Sequence, residues 1–156
     1  MPMLMVMRHA KSSWKNADSV HDSERKLNKR GRRDAARMGA ELRRRALFDE
    51  DTRVFVSRAA RARETYELLR EGAGVGAREA VILPGLYEAC HGSARAIVEL
   101  LRDDETARAA LASSRAVLLI GHNPGLEALV RLLLAGADAD GVGGEMGLTL
   151  AKLRQV

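Results

Sequence analysis

The stretch Leu4-Met5-Val6-Met7-Arg8-His9 places a short apolar run directly before two polar side chains. This pattern predicts a buried strand that ends in a guanidinium and an imidazole. Arginine offers a planar fork of donors that matches phosphate oxygens. A neutral imidazole is a nucleophile, and its usual pKa of about 6.5 leaves it mostly uncharged at pH 7. The pair indicates phosphate chemistry, although in an Arg-rich chain it also arises by chance, and His9 is then an ordinary surface histidine.

Further apolar runs predict an alternation of strands and helices along the chain. Strands are predicted at residues 4–7, 54–56, 81–83 and 117–120, with a weaker candidate at 147–153. Helices are predicted at 27–47, 59–69, 93–101 and 125–134, and turns at 72–77 and 138–144. Asn28 and Ser93 are candidate N-caps, and Gly136 is a candidate stop. The alternation predicts an α/β fold of three α/β/α layers around a mostly parallel central sheet.

Composition limits the class of protein. With 156 residues, of which 46% are hydrophobic, we expect a single domain over residues 1–156. The single cysteine, Cys90, leaves no internal disulfide, and no spacing typical of metal ligands occurs, so neither a metal nor another cofactor is expected. The start of the chain lacks a basic leader and a long apolar stretch. We therefore expect a cytoplasmic protein without a secretion signal or membrane span.

The net charge of +5 and the pI near 9.9 leave several partners open, from nucleic acid to anionic substrates. Acidic residues are interleaved with the basic ones, as where Arg43-Arg44-Arg45 precedes Asp49-Glu50-Asp51. Only 3% of the residues are aromatic, which leaves few side chains on which bases stack. The distribution favours solvated helix faces, and a nucleic-acid partner is not expected.

The predicted parallel sheet gathers three polar segments at one rim. Arg8-His9, residues 57–61 and residues 121–124 each follow a predicted strand. Ligands of such sheets lie outside the carboxyl ends of the strands. Two histidines, His9 and His122, and at least two arginines would then share one site.

Each further candidate has a functional interpretation and a plainer one. His122 precedes a predicted helix, whose free N–H groups favour an anion, or else it is a capping residue without a ligand. Arg61 is a phosphate-binding candidate, but Arg58 and Arg63 compete by spacing, and each also suits a solvated helix face. Glu88 is a candidate general acid or an exposed loop carboxylate.

Other chemistries find less support. A Walker loop, a nucleophile elbow and a dinucleotide glycine fingerprint are all missing from the sequence. Tyr66 and Tyr87 are expected to be packing residues. Trp14 either lines the entrance of the site or is a surface hydrophobe.

Taken together, the segments resemble the motifs of the histidine phosphatase (phosphoglycerate mutase-like) superfamily. Met7-Arg8-His9-Ala10 resembles its Arg-His-Gly signature, residues 56–65 resemble its second block, and Gly121-His122-Asn123-Pro124 resembles the block of its second histidine. Within the superfamily, residues 8–14 and 25–31 resemble the SixA-type phosphohistidine phosphatases. The resemblance covers residues 3–134, and three blocks in the same order make coincidence improbable.

The resemblance implies a phosphoglycerate mutase-like fold and a metal-independent covalent mechanism. His9 would become phosphorylated, Arg8, Arg61 and His122 would hold the phosphoryl oxygens, and Glu88 would take the proton donor's place. The implied substrate is phosphohistidine in a protein such as a phosphotransfer domain. A small phosphomonoester is the alternative within enzymes, and a basic, non-catalytic protein that binds nucleic acid or acidic partners is the alternative outside them. The oligomeric state is not predicted.

Overall fold

The structure, a computed structural model, describes residues 3–15, 18–76, 79–138 and 149–150. Five strands lie within those residues: β1 (Met3–Arg8), β2 (Arg53–Val56), β3 (Val81–Ile82), β4 (Ala116–Gly121) and β5 (Thr149–Leu150). They form one sheet in the order β3-β2-β4-β1-β5, and every pairing is parallel. The prediction of an α/β fold with a parallel central sheet is confirmed.

Helices cover both faces of the sheet. The described residues form α1 (Lys29–Arg44), α2 (Ala60–Ala73), α3 (Leu86–His91), α4 (Ala94–Asp103), α5 (Glu105–Ser113) and α6 (Gly125–Asp138), and a 3₁₀ turn spans Asp22–Glu24. One buried cluster joins the sheet to α1 and α2, and the other joins it to α3, α4, α5 and α6. The molecule therefore has the predicted three layers.

The central strand β4 shows why the layers form. All six of its residues are buried. Val117 and Leu119 pack into the cluster beneath α3–α6, whereas Leu118 and Ile120 pack into the cluster beneath α1 and α2. Successive strand residues point to opposite faces, so a continuous apolar run is what a strand covered on both sides requires.

Two glycines let α1 and α2 cross in backbone contact. A Cβ atom on Gly39 would lie 1.9 Å from the carbonyl oxygen of Leu69, and one on Gly72 would lie 1.9 Å from that of Ala36. Gly72 therefore belongs to the helix interface, and the prediction of a turn at 72–77 is wrong at its start. The chain leaves α2 at Gly74, whose φ of 63° is the left-handed conformation that ends many helices.

Replacing Gly72 with alanine is expected to destabilise the protein by about 1–3 kcal/mol, because the added methyl group must push the two helices apart. The loss occurs even though alanine is the better helix former by roughly 1 kcal/mol. Urea unfolding of Gly72→Ala measures the effect. Gly76→Ala is the matched control, since a Cβ there meets no atom within 4 Å. Equal stability of the two variants would contradict this packing.

Other boundaries also differ from the predictions. The caps are confirmed, since Asn28 accepts from Gly31 N–H and Ser93 from Ala96 N–H. Helix α6 continues through Gly136 to Asp138, so this glycine does not stop it. Helix α3 was missed because it is only six residues long, and α5 because its buried residues are alanines. Of the candidate strand at 147–153, only β5 is described, and the predicted turn beyond residue 138 lies outside the described residues.

No helix in the described part of the chain combines the length and apolarity of a membrane span.

Candidate active site

Three strands deliver the site residues to one rim of the sheet. The N–H of His9 donates to the carbonyl of Gly121 at 3.0 Å, which continues the β1–β4 ladder past the end of β1. The N–H of Ser57 donates to the carbonyl of Ile120 at 3.0 Å and continues the β2–β4 ladder. His122 follows β4 directly. Strand register thus places the two histidine rings side by side, with centroids 5.0 Å apart.

The imidazole of His9 is held in one tautomer. Its Nδ1 lies 2.7 Å from the carbonyl oxygen of Ala10, which can only accept, so Nδ1 carries the proton and donates. The lone pair therefore lies on Nε2, where it accepts a hydrogen bond from Nε of Arg61 at 3.1 Å. A backbone carbonyl that fixes the proton on one ring nitrogen leaves the other as a fixed nucleophile.

The environment of His9 favours the neutral ring. Desolvation by burial lowers its pKa from 6.5 to about 4, and the charges of Arg61 and Arg8 add to this, against the hydrogen bond to Ala10, which raises it. An imidazole with this pKa is unprotonated throughout the neutral range, so its Nε2 is available to act as a nucleophile.

An NMR titration of His9 should therefore show a midpoint near pH 4 instead of 6.5. As the pH falls, the ring takes up a proton at about pH 6.5 in the unfolded chain but only near pH 4 in the folded protein. Protonation therefore favours the unfolded chain between these two values. The free energy of unfolding that depends on neutral His9 is complete above pH 6.5 and is lost as the pH falls toward about 4. The His9→Ala spectrum assigns the resonance. A midpoint at the ordinary histidine value would show that the ring is solvated.

Arg61 is buried beside His9 in the first turn of α2, and its side chain is only 3% exposed. Beyond its contact with His9, its Nη1 donates to the backbone carbonyl of Asp22 at 2.6 Å. Its Nη2 donates to the Oδ2 of the same residue at 2.9 Å. Three hydrogen bonds fix the plane of the guanidinium, so its donors are pre-oriented for an anion.

The structure separates Arg61 from its rivals. Arg58 is exposed, and its Nη2 donates to Oε1 of Glu88 at 2.7 Å. Arg63 is also exposed. Arg8 ends β1 at the surface, close enough to His9 for its charge to lower the pKa of that ring. Of the three arginines at residues 58–63, Arg61 alone contacts His9 within the described part of the chain.

His122 is buried beneath the site. Its Nε2 lies 2.7 Å from the hydroxyl oxygen of Ser57. Desolvation by burial, together with the charges of His9, Arg61 and His91, lowers the pKa of His122 to about 3. A neutral ring can donate one hydrogen bond to a phosphoryl oxygen without adding a second charge.

Glu88 lies on α3 at the edge of this group, with its side chain 58% exposed. The hydrogen bond from Arg58 lowers the pKa of this carboxyl below its usual range. Glu88 is therefore ionised at neutral pH, when a general acid would need to hold its proton. Its role as an acid stays a prediction.

Sequence reasoning missed two residues of the site. The carboxylate of Asp22 lies on the 3₁₀ turn and contacts Arg61, and no strand end or helix face in the sequence marks it. Tyr87 was expected to be a packing residue, but its hydroxyl donates to Asp22 Oδ2 at 2.6 Å, and its ring centroid lies 5.3 Å from that of His122. The only sequence feature that pointed to this part of the chain was its neighbour Glu88, the candidate general acid.

Tyr66 and Trp14, the other aromatic residues considered from the sequence, differ in burial. Tyr66 is buried in the core, as expected. Trp14 is 72% exposed, and the guanidinium of Arg25 stacks 3.9 Å from its ring centroid. Arg25 also donates from Nη1 to the hydroxyl of Ser12 at 3.0 Å.

Within residues 3–15, 18–76, 79–138 and 149–150, no group of three or more His, Cys, Asp or Glu side chains is arranged to hold a metal ion.

Several solved structures share this fold. An Agrobacterium tumefaciens protein assigned as the phosphohistidine phosphatase SixA is 26% identical, with a TM-score of 0.68 over 90% of this chain and 85% of its own. A protein histidine phosphatase SixA solved with tungstate is 27% identical, with a TM-score of 0.65 over 83% of this chain and 75% of its own. A protein from Nakamurella multipartitia, also assigned as SixA, is 30% identical, with a TM-score of 0.63 over 93% and 77%.

Sequence comparison agrees with the fold. Residues 4–115 match the profile of the histidine phosphatase superfamily, branch 1. No curated protein matches the chain significantly in sequence. The matched region contains His9 and Arg61, and the structural neighbours cover most of the chain. The chain therefore belongs to the histidine phosphatase superfamily and is a phosphatase.

Proposed function

We propose that this phosphatase removes the phosphoryl group from phosphohistidine in a protein, with His9 as the nucleophile. The observation that carries the proposal is the fixed tautomer of His9, whose Nε2 lone pair faces the buried guanidinium of Arg61. A strand end holds the backbone of this histidine, so attack on phosphorus needs no reorientation of the ring. The similarity to SixA structures at 26–30% identity supports the same substrate class.

The reaction would proceed in two displacements. Nε2 of His9 attacks the phosphorus atom, the phosphorus–nitrogen bond of the substrate breaks, and the substrate imidazole departs as a neutral ring because its other nitrogen already carries a proton. Water then attacks the phosphorus of the phosphorylated His9, the bond to Nε2 breaks, and phosphate leaves. Arg8, Arg61 and His122 stabilise the negative charge of the phosphoryl oxygens in both transition states.

The state of Glu88 favours phosphohistidine over an ester. An alkoxide leaving group requires a proton from an acid, whereas a departing imidazole is far less basic. Glu88 is ionised and paired with Arg58 at 2.7 Å, so it is poorly suited to donate that proton. The exposed Trp14 and Arg58 around the site also suit contact with a protein surface.

Side-by-side turnover tests the substrate class. A phosphorylated phosphotransfer domain and a panel of small phosphate esters are given to the wild type and to His9→Ala. We expect kcat/KM for the phosphoprotein to exceed that for every ester, and the variant to lose both activities. A small ester that is hydrolysed better than the phosphoprotein would instead support the alternative, a phosphatase for small phosphomonoesters.

The proposed mechanism takes its charge stabilisation from arginine and histidine side chains and assigns no step to a metal. We therefore expect turnover after dialysis against EDTA to stay within about twofold of its value before dialysis, because no group in the proposed steps uses a metal ion to bind the substrate. The same dialysed protein with added Mg²⁺ or Zn²⁺ serves as the comparison. Loss of activity on chelation, restored by one of these ions, would contradict the mechanism.

A further inference from the structure

The carboxylate of Asp22 accepts hydrogen bonds from side chains of the candidate active site. Its Oδ2 accepts from Nη2 of Arg61 at 2.9 Å and from the hydroxyl of Tyr87 at 2.6 Å. Its Oδ1 accepts from Nε of Arg25 at 2.9 Å. One carboxylate thus takes up donors from three different side chains, one of which also contacts the proposed nucleophile.

The Asp22 carboxylate contacts the edge of the Arg61 guanidinium that is suited to bind a phosphate. Nε and Nη2 lie along one edge of an arginine and form the fork that binds two oxygens of a phosphate. In Arg61, Nε faces Nε2 of His9, and Nη2 faces Asp22 Oδ2. A phosphoryl group attacked by Nε2 of His9 and bound by this fork would place an oxygen where Asp22 Oδ2 now lies.

We propose that Asp22 is a specificity-determining residue whose carboxylate occupies a phosphoryl-oxygen position and must be displaced from Arg61 and Tyr87 when the substrate binds. This inference rests on the proposed function, in which the phosphoryl group is bound between His9 and Arg61. It deepens that function by naming the charge class of the substrate, because only an anion that competes well with a carboxylate can enter.

Exposure and charge both favour displacement of Asp22. The Asp22 side chain is 45% exposed and can rotate into water, whereas the side chain of Arg61 is 3% exposed and packed in place. Partial burial raises the pKa of Asp22, but hydrogen bonds from Tyr87, Arg25 and Arg61 outweigh it and hold the pKa well below its usual range. Asp22 is therefore an anion at every working pH, and it repels a second anion that approaches the same donors.

The competition selects among phosphate compounds. A phosphoryl group bound through one atom carries a charge of about −1.5 to −2 at neutral pH, which exceeds that of a carboxylate. Phosphomonoesters and phosphohistidine have such a group and can displace Asp22. A phosphodiester carries a single negative charge, like the carboxylate itself, and gains little from the exchange.

Binding of inorganic phosphate, measured by calorimetry, tests the inference without turnover. Asp22→Asn removes the charge, and Asp22→Ala removes the side chain's hydrogen bonds as well. Both variants are expected to bind phosphate about tenfold more tightly than the wild type, because a charge-assisted internal hydrogen bond no longer competes. Glu24→Gln is the matched control, since it makes the same charge change on the same 3₁₀ turn and is expected to leave binding within about twofold.

Steady-state kinetics separate competition from positioning. Displacement predicts a lower KM with kcat within about threefold for Asp22→Asn, because the interaction removed is made only before substrate binds. Phosphate binding that is unchanged or weaker in the Asp22 variants, or a fall in kcat with weaker binding, would show that Asp22 only positions Arg61 and would overturn the inference. Failure of the proposed function is distinct, since it appears as retained phosphoprotein turnover in His9→Ala whatever the phosphate affinities are.

Discussion

His9→Ala is expected to lose at least about 10⁴-fold in turnover, since removing the nucleophile of a covalent mechanism leaves only the binding groups. The ring of His9 is held by the carbonyl of Ala10 on one nitrogen and by Arg61 on the other. Alanine supplies neither the lone pair nor the leaving group of the second step. Substrate binding should change far less, because the arginines and His122 that we propose hold the phosphoryl oxygens remain.

Quenching the reaction of a ³²P-labelled phosphoprotein in alkaline detergent, followed by separation of the two proteins by size, gives a direct measurement. The wild type should carry an acid-labile, base-stable label during turnover, as expected of a phosphorylated imidazole, and His9→Ala should carry none. Thermal unfolding of the variant is the control for folding. A variant that folds normally and retains near-normal hydrolysis would show that another group attacks phosphorus.

The residues that the sequence could place are those that follow strands. His9 and His122 come directly after β1 and β4, which pair in parallel, so the strand register alone brings their rings to 5.0 Å. Local patterns therefore predicted both positions. Their pKa values, lowered to about 4 and about 3, depend first on burial, which only the packed molecule defines.

The residues that the sequence could not place reach the site through tertiary contacts. Asp22 is on a 3₁₀ turn of three residues, and its approach to Arg61 spans 39 positions of the chain. Tyr87 lies on α3, a helix too short to give a periodic signal, and reaches Asp22 across 65 positions. Hydrophobic periodicity carries no information on such pairs, because exposed polar side chains do not contribute to the core pattern.

The arginines at 58 and 61 give the sharpest contrast between sequence and structure. Spacing left both open as phosphate ligands. Arg58 precedes the first turn of α2 and projects to the surface, where its side chain is 47% exposed, whereas Arg61 lies on the buried side with 3% exposure. The start of α2 at Ala60 therefore decides between them, because it leaves Arg58 outside the helix and places Arg61 in its first turn.

Arg61→Ala is accordingly expected to lower kcat/KM by about 10³-fold, and Arg58→Ala by less than about tenfold. Removing one pre-oriented donor to a developing anion typically costs about 10² to 10³ in rate, and Arg61 also contacts Nε2 of His9. Arg58 is exposed and paired with Glu88 at 2.7 Å, and surface pairs of this kind contribute little. The two variants make the same chemical change three residues apart, so each is the control for the other.

Arg61→Lys distinguishes the guanidinium fork from its charge. Lysine keeps the positive charge but is a point charge without the planar pair of donors, so we expect it to recover only part of the loss. Phosphate affinity measured on the same variants should follow the same order, since Nη2 of Arg61 is the donor that a phosphoryl oxygen would take from Asp22. Abolished phosphate binding in Arg58→Ala with intact binding in Arg61→Ala would reverse the assignment, and the phosphoryl group would then bind at the exposed edge of α3 instead of beside His9.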